Sequence, residues 1–286
     1  MADTNIEWAD KTWNPIIGCT KVSAGCDHCY AERMACRLAL NPQTPQYQNV
    51  VSLDGRAWNG KTALVESALM QPLKWKKPSR IFVGSMTDLF HRETPDEWLD
   101  RIFAVMALCP QHTFMVLTKR PEGMREYLGA ECREKRIWDA YWEVLSRGIG
   151  PGFAWPLPNV WLGVTAENQA MADYRIMPLL GIQSAVHFVS IEPMLGPIKL
   201  DKCWVCKGPD EEGCWCEQDT QASLRWVICG CESGPGARLM DIAWARSLKD
   251  QCVEAGVPFF YKQGPGDDGR VVKMPVLDGR AWDQRP

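Results

Sequence analysis

Seven short apolar runs, six of them ending abruptly in small, polar or charged residues, set the strongest limit on how this chain can fold. IFVG gives way to SMTD (81–88), FMVL to TKRP (114–121) and VWLGV to TAEN (160–168). VHFVSI is followed by EP (186–193), WVICG by CESG (226–234) and FFY by KQGP (259–265), and TWNPII (12–17) precedes them all. Continuous rather than alternating apolarity marks strands covered on both faces, as in parallel sheets. Helical segments lie between several of them. Thr94-Pro95-Asp96-Glu97 reads as a capping box with proline at the first helical position, and Trp98, Ile102, Val105 and Cys109 share the face behind it. Asp241 is placed to cap a second helix, with Ala245, Leu248 and Cys252 on one side and Gly256 as its stop. Such alternation implies βα units with right-handed crossovers. The expected fold class is therefore α/β, a complete or partial (β/α) TIM-like barrel with parallel strands. Functional groups in a barrel gather at the C-terminal strand ends, where every polar cluster quoted above falls.

The 286 residues suit a single domain of this kind over 1–286, with insertions at about 41–79 and 201–219. The second insertion, DKCWVCKGPDEEGCWCEQD, is Cys-rich and falls between strands 5 and 6. The hexapeptide LDGRAW occurs at 53–58 and again at 277–282, and reads as two similar turns, each pinned by its tryptophan. A net charge of −3 excludes a broadly basic binder but not a local basic groove. No signal-peptide pattern opens the chain, and no apolar run reaches the ~18 residues of a membrane span. A cytoplasmic location without membrane contact is expected. There the 13 cysteines stay mostly reduced, and clustered ones read as metal-binding or catalytic. The 14 tryptophans read chiefly as core or interface anchors.

One cluster lies in GCTKVSAGCDHCYAE (18–32), where Cys19, Cys26 and Cys29 are separated by six and then two residues. A four-iron cluster takes one protein ligand per iron when filled, so three thiolates leave one iron for a small molecule. Zinc would lack its fourth ligand unless a distant Cys or His28 supplied it. Gly18 and Gly25 suit a backbone wrapping a bulky group through positive φ.

This loop resembles the cluster loop of the radical S-adenosylmethionine superfamily. Most members have three residues in the first gap, where this chain has six, and His28 stands where an aromatic is common. Together with GSMTDLFH, VLTKRP, WLGVTAEN, SIEPMLGPI, GCESGPGAR and FFYKQ, the sequence from about residue 5 to 282 is similar to a phage- and mobile-element-associated branch with a three-cysteine motif. The resemblance implies that Cys19, Cys26 and Cys29 are the catalytic ligands of a [4Fe–4S] cluster. S-adenosylmethionine would chelate the fourth iron through its amino and carboxylate groups. An electron from a donor such as flavodoxin or ferredoxin would then cleave it to methionine and a 5′-deoxyadenosyl radical that abstracts hydrogen from substrate. By the same resemblance Gly84, Ser85, Thr87 and Asp88 meet the methionyl ammonium, Tyr30 joins the cofactor-binding set, and Thr165, Glu167 and Asn168 contact ribose. Asp88 can instead cap the next turn. Lys119, with Arg120, is placed to hold a carboxylate or phosphate, or forms a solvated basic loop. Glu192 and Glu232 end apolar strands, where a charge is costly to bury unpaired. They face the cofactor or partner an arginine. The stretch Gly230–Gly236 can bring backbone N–H groups to a phosphate or adenosyl group.

Cys203, Cys206, Cys214 and Cys216 form a second group, suited to a closed zinc site, an auxiliary iron–sulfur cluster, or no metal. Cys229 and Cys231 are not read as joint ligands. Cys36, Cys109, Cys132 and Cys252 read as buried small hydrophobes. Three functions remain open. The first is a radical enzyme acting on nucleic acid or a nucleotide, with Lys74, Lys76, Lys77 and Arg80 around Trp75 as its basic–aromatic cluster. The second is a radical enzyme modifying a peptide or protein side chain. The third is a non-enzymatic zinc-binding adaptor for nucleic acid or protein.

Overall fold

A computed structural model describes residues 4–145, 152–206, 223–266, 268 and 270–286. The chain divides into two compact units, Met1–Val22 with Cys29–Trp161 and Ser23–His28 with Leu162–Pro286. The first unit carries β1 (Lys11–Trp13), β2 (Ile16–Ile17) and α1 (Tyr30–Ala39). Then come β3 (Val51–Ser52), β4 (Ala57–Trp58), β5 (Ala63–Leu64) and α2 (Glu66–Leu69). It continues with β6 (Arg80–Val83), α3 (Asp96–Ala107), β7 (Thr113–Thr118), α4 (Pro121–Gly129), α5 (Arg133–Leu145) and the start of β8 (Val160–Thr165). Its sheet runs β1-β6-β7-β8, and the β1–β6 and β6–β7 pairs are parallel.

TWNPII, expected as one strand, is two. Pro15 has no N–H for a ladder, and its carbonyl accepts from Val65 N at 2.7 Å. Before the break β1 joins the parallel sheet; after it β2 pairs antiparallel with β5. The 41–79 insertion is thereby tied in. Its Tyr47, Val50 and Val51 form a small core with Ile17, Ala31, Ala35, Cys36, Ala39 and Met86, backing α1 where it leaves the cysteine loop.

The expected capping box is also corrected. Pro95 occupies the N-cap of α3 in extended backbone, with no side-chain cap bond, and the buried Thr94 hydroxyl has no partner among the described residues. Asp96 and Glu97 still place negative charge in the first turn, where the helix dipole favours it. Asp96 and the buried Asp100 hold Arg133 of α5 at 2.8 and 2.7 Å. Behind α3, Ile102, Val105 and Cys109 are buried. Cys132, expected to be buried, is exposed, because it precedes α5 instead of facing inward from it.

The second unit completes β8 and adds α6 (Gln169–Leu180), β9 (Val186–Ile191), α7 (Lys202–Val205) and β10 (Leu224–Gly230). It ends with α8 (Ile242–Ala255), β11 (Phe259–Pro265) and β12 (Val271–Lys273). Its strand order is β8-β9-β10-β11-β12, with β9, β10 and β11 parallel and β12 antiparallel to β11. Trp226, Val227, Ile228 and Cys229 are all fully buried. Successive strand residues point to opposite faces, so both faces of β10 are covered. The protein is therefore mixed α/β with mostly parallel strands. Gly163 in β8 is needed for this packing: a Cβ there would lie 2.5 Å from the Phe188 ring.

Helix α8 forms as expected. Asp241 accepts from Ala243 N at 2.8 Å, Gly256 ends the helix at φ 63°, and Ala245, Leu248 and Cys252 are buried. Asp241→Ala should cost about 1 kcal/mol, read as a lower urea midpoint with an unchanged slope. Both LDGRAW copies make reversals. One links β3 to β4 with positive φ at Arg56, and the other pairs Leu277 with Arg280 across positive φ at Asp278 and Gly279. Trp282 is buried and donates to the Leu277 carbonyl at 2.9 Å. Among the described residues no helix is long and apolar enough to cross a membrane.

Candidate functional site: the cysteine loop and its anchors

The first unit fixes the entry to the loop. Gly18 has φ 96°, and a Cβ there would lie 2.2 Å from the Lys61 carbonyl oxygen, so no other residue fits. Its N–H donates to Met86 O at 3.1 Å, and Thr87 Oγ1 donates to its carbonyl at 2.7 Å. At Cys19 a guanidinium arrives: Arg120 Nη1 lies 3.8 Å from Sγ. Arg120 also donates to Asp88 Oδ2 at 3.1 Å, Thr20 O at 3.0 Å and Thr20 Oγ1 at 2.7 Å.

Asp88 is buried, and its carboxylate accepts from Phe90 N, Thr118 Oγ1 and Lys119 N as well as Arg120. It thus caps its own turn and joins the ends of β6 and β7. His91 Nδ1 accepts from Glu93 N, so its Nε2 carries the proton and donates to Thr20 Oγ1 at 2.9 Å. Burial, with the nearby Arg120, pushes His91 below the usual histidine range and keeps it neutral.

Gly84 adopts φ 80°, Ser85 exchanges hydrogen bonds with Asn14, and Tyr30 Oη donates to the Ser85 carbonyl at 2.8 Å. The segment expected to meet an ammonium is therefore held by Asn14 and Tyr30. Lys119 is half-buried at the end of β7. Cys29 stands at the N-cap of α1 without a side-chain cap bond.

The second unit holds the middle of the loop. Cys26 closes a short turn, Ala24–Cys26, and Gly25 N donates to Glu167 Oε1 at 3.2 Å. Gly25 does not use positive φ, contrary to expectation. Its missing Cβ makes room for Glu167, whose Cδ would lie 3.1 Å from such an atom. Glu167 is fully buried and pairs with Arg175 Nη1 at 2.9 Å; Arg175 also donates to the Thr165 carbonyl. Glu232 accepts from His28 Nδ1 at 2.8 Å and from the backbone N, Nε and Nη2 of Arg238. Arg238 in turn donates to Ala24 O at 2.8 Å and Asp27 Oδ2 at 3.3 Å. Both strand-end acids thus meet an arginine while fixing the segment that carries Cys26.

Burial alone would raise the Glu232 carboxyl, but the bonds from Arg238 and His28 outweigh it and hold it down at about 2. Its contribution to stability is present above the ordinary carboxylate range near ~4.3 and is lost as pH falls through about 2. Glu232→Gln should therefore be clearly less stable than the parent at neutral pH, and the gap should close between about pH 4.5 and 2. Urea unfolding across that range measures it.

Asn168 caps α6 by accepting from Met171 N at 3.1 Å. Glu192 forms an ion pair with Lys262, and Gly230 between their strands leaves room for Glu192. Arg175, Arg238, His91 and Lys262 escaped the sequence reading. Arg175 had a signal, since it shares a face of α6 with the buried Ala172, Ile176 and Leu179. Arg80 leaves the expected basic cluster, because Asp10 takes its guanidinium at 2.8 and 3.1 Å, while Lys74, Lys76 and Lys77 stay exposed.

Cys203 is exposed and Cys206 half-buried, flanking the buried Trp204 of α7; Cys214 and Cys216 lie outside the described residues. No disulfide joins the described cysteines. Burial raises Cys231 to about 11 and Cys252 to about 12, so these stay protonated packing groups. Among the described residues no three His, Cys, Asp or Glu side chains gather closely enough to hold a metal ion.

These features define a class: a mixed α/β protein of parallel βα units in which strand-end side chains anchor a three-cysteine loop. More specifically, the chain belongs to the family described as "Protein of unknown function (DUF5131)", whose model matches residues 3–286. No curated protein and no solved structure matches it.

Proposed function

We propose that this protein is a radical S-adenosylmethionine enzyme built on a partial (β/α) barrel, with Cys19, Cys26 and Cys29 as ligands of a [4Fe–4S] cluster. The observation that carries the reading is the treatment of the loop. Its three cysteines are half-buried and in no disulfide, and buried acids and arginines from the strand ends bind the backbone around them. By its chemistry the donor set suits a cluster: three sulfurs, not gathered round a single ion, leave one iron for a small ligand, and the guanidinium at Cys19 offsets thiolate charge. When bound, the cluster and S-adenosylmethionine supply reductive cleavage of the sulfonium and hydrogen abstraction from substrate. The chain's own part is to orient. Asn14 and Tyr30 hold the Gly84–Asp88 turn, whose backbone carbonyls suit an ammonium. Glu167 and Glu232 keep the Cys26 segment in place.

For substrate we favour nucleic acid or a nucleotide, supported by the exposed Lys74, Lys76 and Lys77 beside Trp75, over whose ring Lys11 lies at 5.5 Å. A reducing, cytoplasmic setting with flavodoxin or ferredoxin as electron donor fits this chemistry. The test is anaerobic reconstitution with iron and sulfide, reduction, and assay for 5′-deoxyadenosine. Its formation, dependent on iron and on S-adenosylmethionine, is the expected result. A colourless protein holding only zinc points to an adaptor. About eight irons per chain in place of about four means that a second cluster is present, and favours a peptide or protein substrate.

A further inference from the structure

We propose that Arg120 sets the reduction potential of the iron–sulfur centre through its N–H group aimed at the Cys19 sulfur; this rests on the cluster reading above. The side chain is only 15% exposed and is aimed by three other contacts. Nη1 is shared between Asp88 Oδ2 at 3.1 Å and Cys19 Sγ at 3.8 Å, while Nη2 binds Thr20 Oγ1 at 2.7 Å and Thr20 O at 3.0 Å. Each partner is itself held. Asp88 is fixed by Thr118 Oγ1 at 2.6 Å and by the N–H groups of Lys119 and Phe90, and Thr20 Oγ1 also receives His91 Nε2. The guanidinium therefore has little freedom to turn away from sulfur.

Its positive charge is permanent, since arginine keeps its proton at any working pH. Hydrogen bonds and positive charge at a ligand sulfur favour the reduced, more negative cluster and raise its potential. Lysine, a single compact charge, cannot bind Asp88, Thr20 and the sulfur at once as a planar fork does. Arg120 is thus a positioning and tuning residue, acting through Cys19.

The experiment is an anaerobic redox titration, followed by electron paramagnetic resonance, of the reconstituted full chain and of Arg120→Gln and Arg120→Lys. Arg120→Gln should hold as much iron as the parent but reduce at a more negative potential, with a several-fold smaller reduced fraction at the parent's midpoint. Arg120→Lys should fall between the two. Equal midpoints with intact iron overturn the proposal and leave the cluster reading standing. No iron in the parent overturns both.

Should Arg120→Gln take up no iron, the metal-free proteins decide. Iodoacetamide labelling, mapped by peptide mass, should be several-fold slower at Cys19 in the variant and unchanged at Cys29. Equal rates at Cys19 overturn the proposal.

Discussion

Cys29→Ser is expected to yield a protein almost free of iron that is at least as stable as the metal-free parent. Cys29 sits at the N-cap of α1 with no side-chain cap bond, a position where serine is among the best residues. A new cap would add up to about 1 kcal/mol. Glu32, three residues on, already accepts from Trp58 N and pairs with Lys21, so a reciprocal capping box will not form and the gain stays modest. With one thiolate gone, iron should fall from about four per chain to well below one. Cleavage of S-adenosylmethionine should drop by more than about 100-fold, beyond the range seen when only outer-shell partners are removed. Iron analysis of the reconstituted proteins and urea unfolding of the metal-free ones separate the two effects. A variant that keeps its iron would remove Cys29 from the ligand set; one that unfolds would make it a structural residue.

Glu167→Ala should be the most destabilising single change at the site, by about 3–5 kcal/mol, because it strands a buried guanidinium. Arg175 is 2% exposed and Glu167 0%, so water cannot replace the lost partner. The Thr165 carbonyl remains bonded to Arg175 but carries no compensating charge. The loop suffers too, since Gly25 N loses its acceptor, a further cost of about 1 kcal/mol. Glu167→Gln, similar in shape, should cost less. Glu167→Leu combined with Arg175→Met should recover much of the loss, as apolar replacements of buried ion pairs often do. If Glu167 served only to contact a cofactor, metal-free Glu167→Ala would unfold at the parent's urea midpoint.

What could be read from the sequence follows from how local each signal is. Apolar runs marked six strands correctly because a strand covered on both faces leaves few positions open to water and fills most of them with apolar residues. TWNPII misled because its run of apolar character hid Pro15, whose missing N–H splits it between two sheets. The Asp241 cap and the Gly256 stop were legible because each acts within its own turn. Thr94 was not, because the capping pattern says nothing of where Pro95 sits once the helix begins.

At the site, the strand-end positions of Asp88, Glu167, Glu192 and Glu232 could be read directly. Their partners could not: a buried acid announces that it is paired, not with what. Arg175 lies eight residues from Glu167 on a helix, whereas Arg120 reaches Cys19 across a separation of 101 in sequence. The two readings kept open for Glu192 and Glu232 divide on that point: Glu232 takes an arginine, and Glu192 takes a lysine in its place.

An iron left without a protein ligand is the central claim, and spectroscopy of the reduced cluster tests it most directly. Electron paramagnetic resonance of reconstituted, dithionite-reduced protein should show a four-iron signal whose g values shift when S-adenosylmethionine is added, and should not shift with methionine-free adenosine. A four-iron signal indifferent to S-adenosylmethionine, or a protein that takes up zinc and no iron, would contradict it.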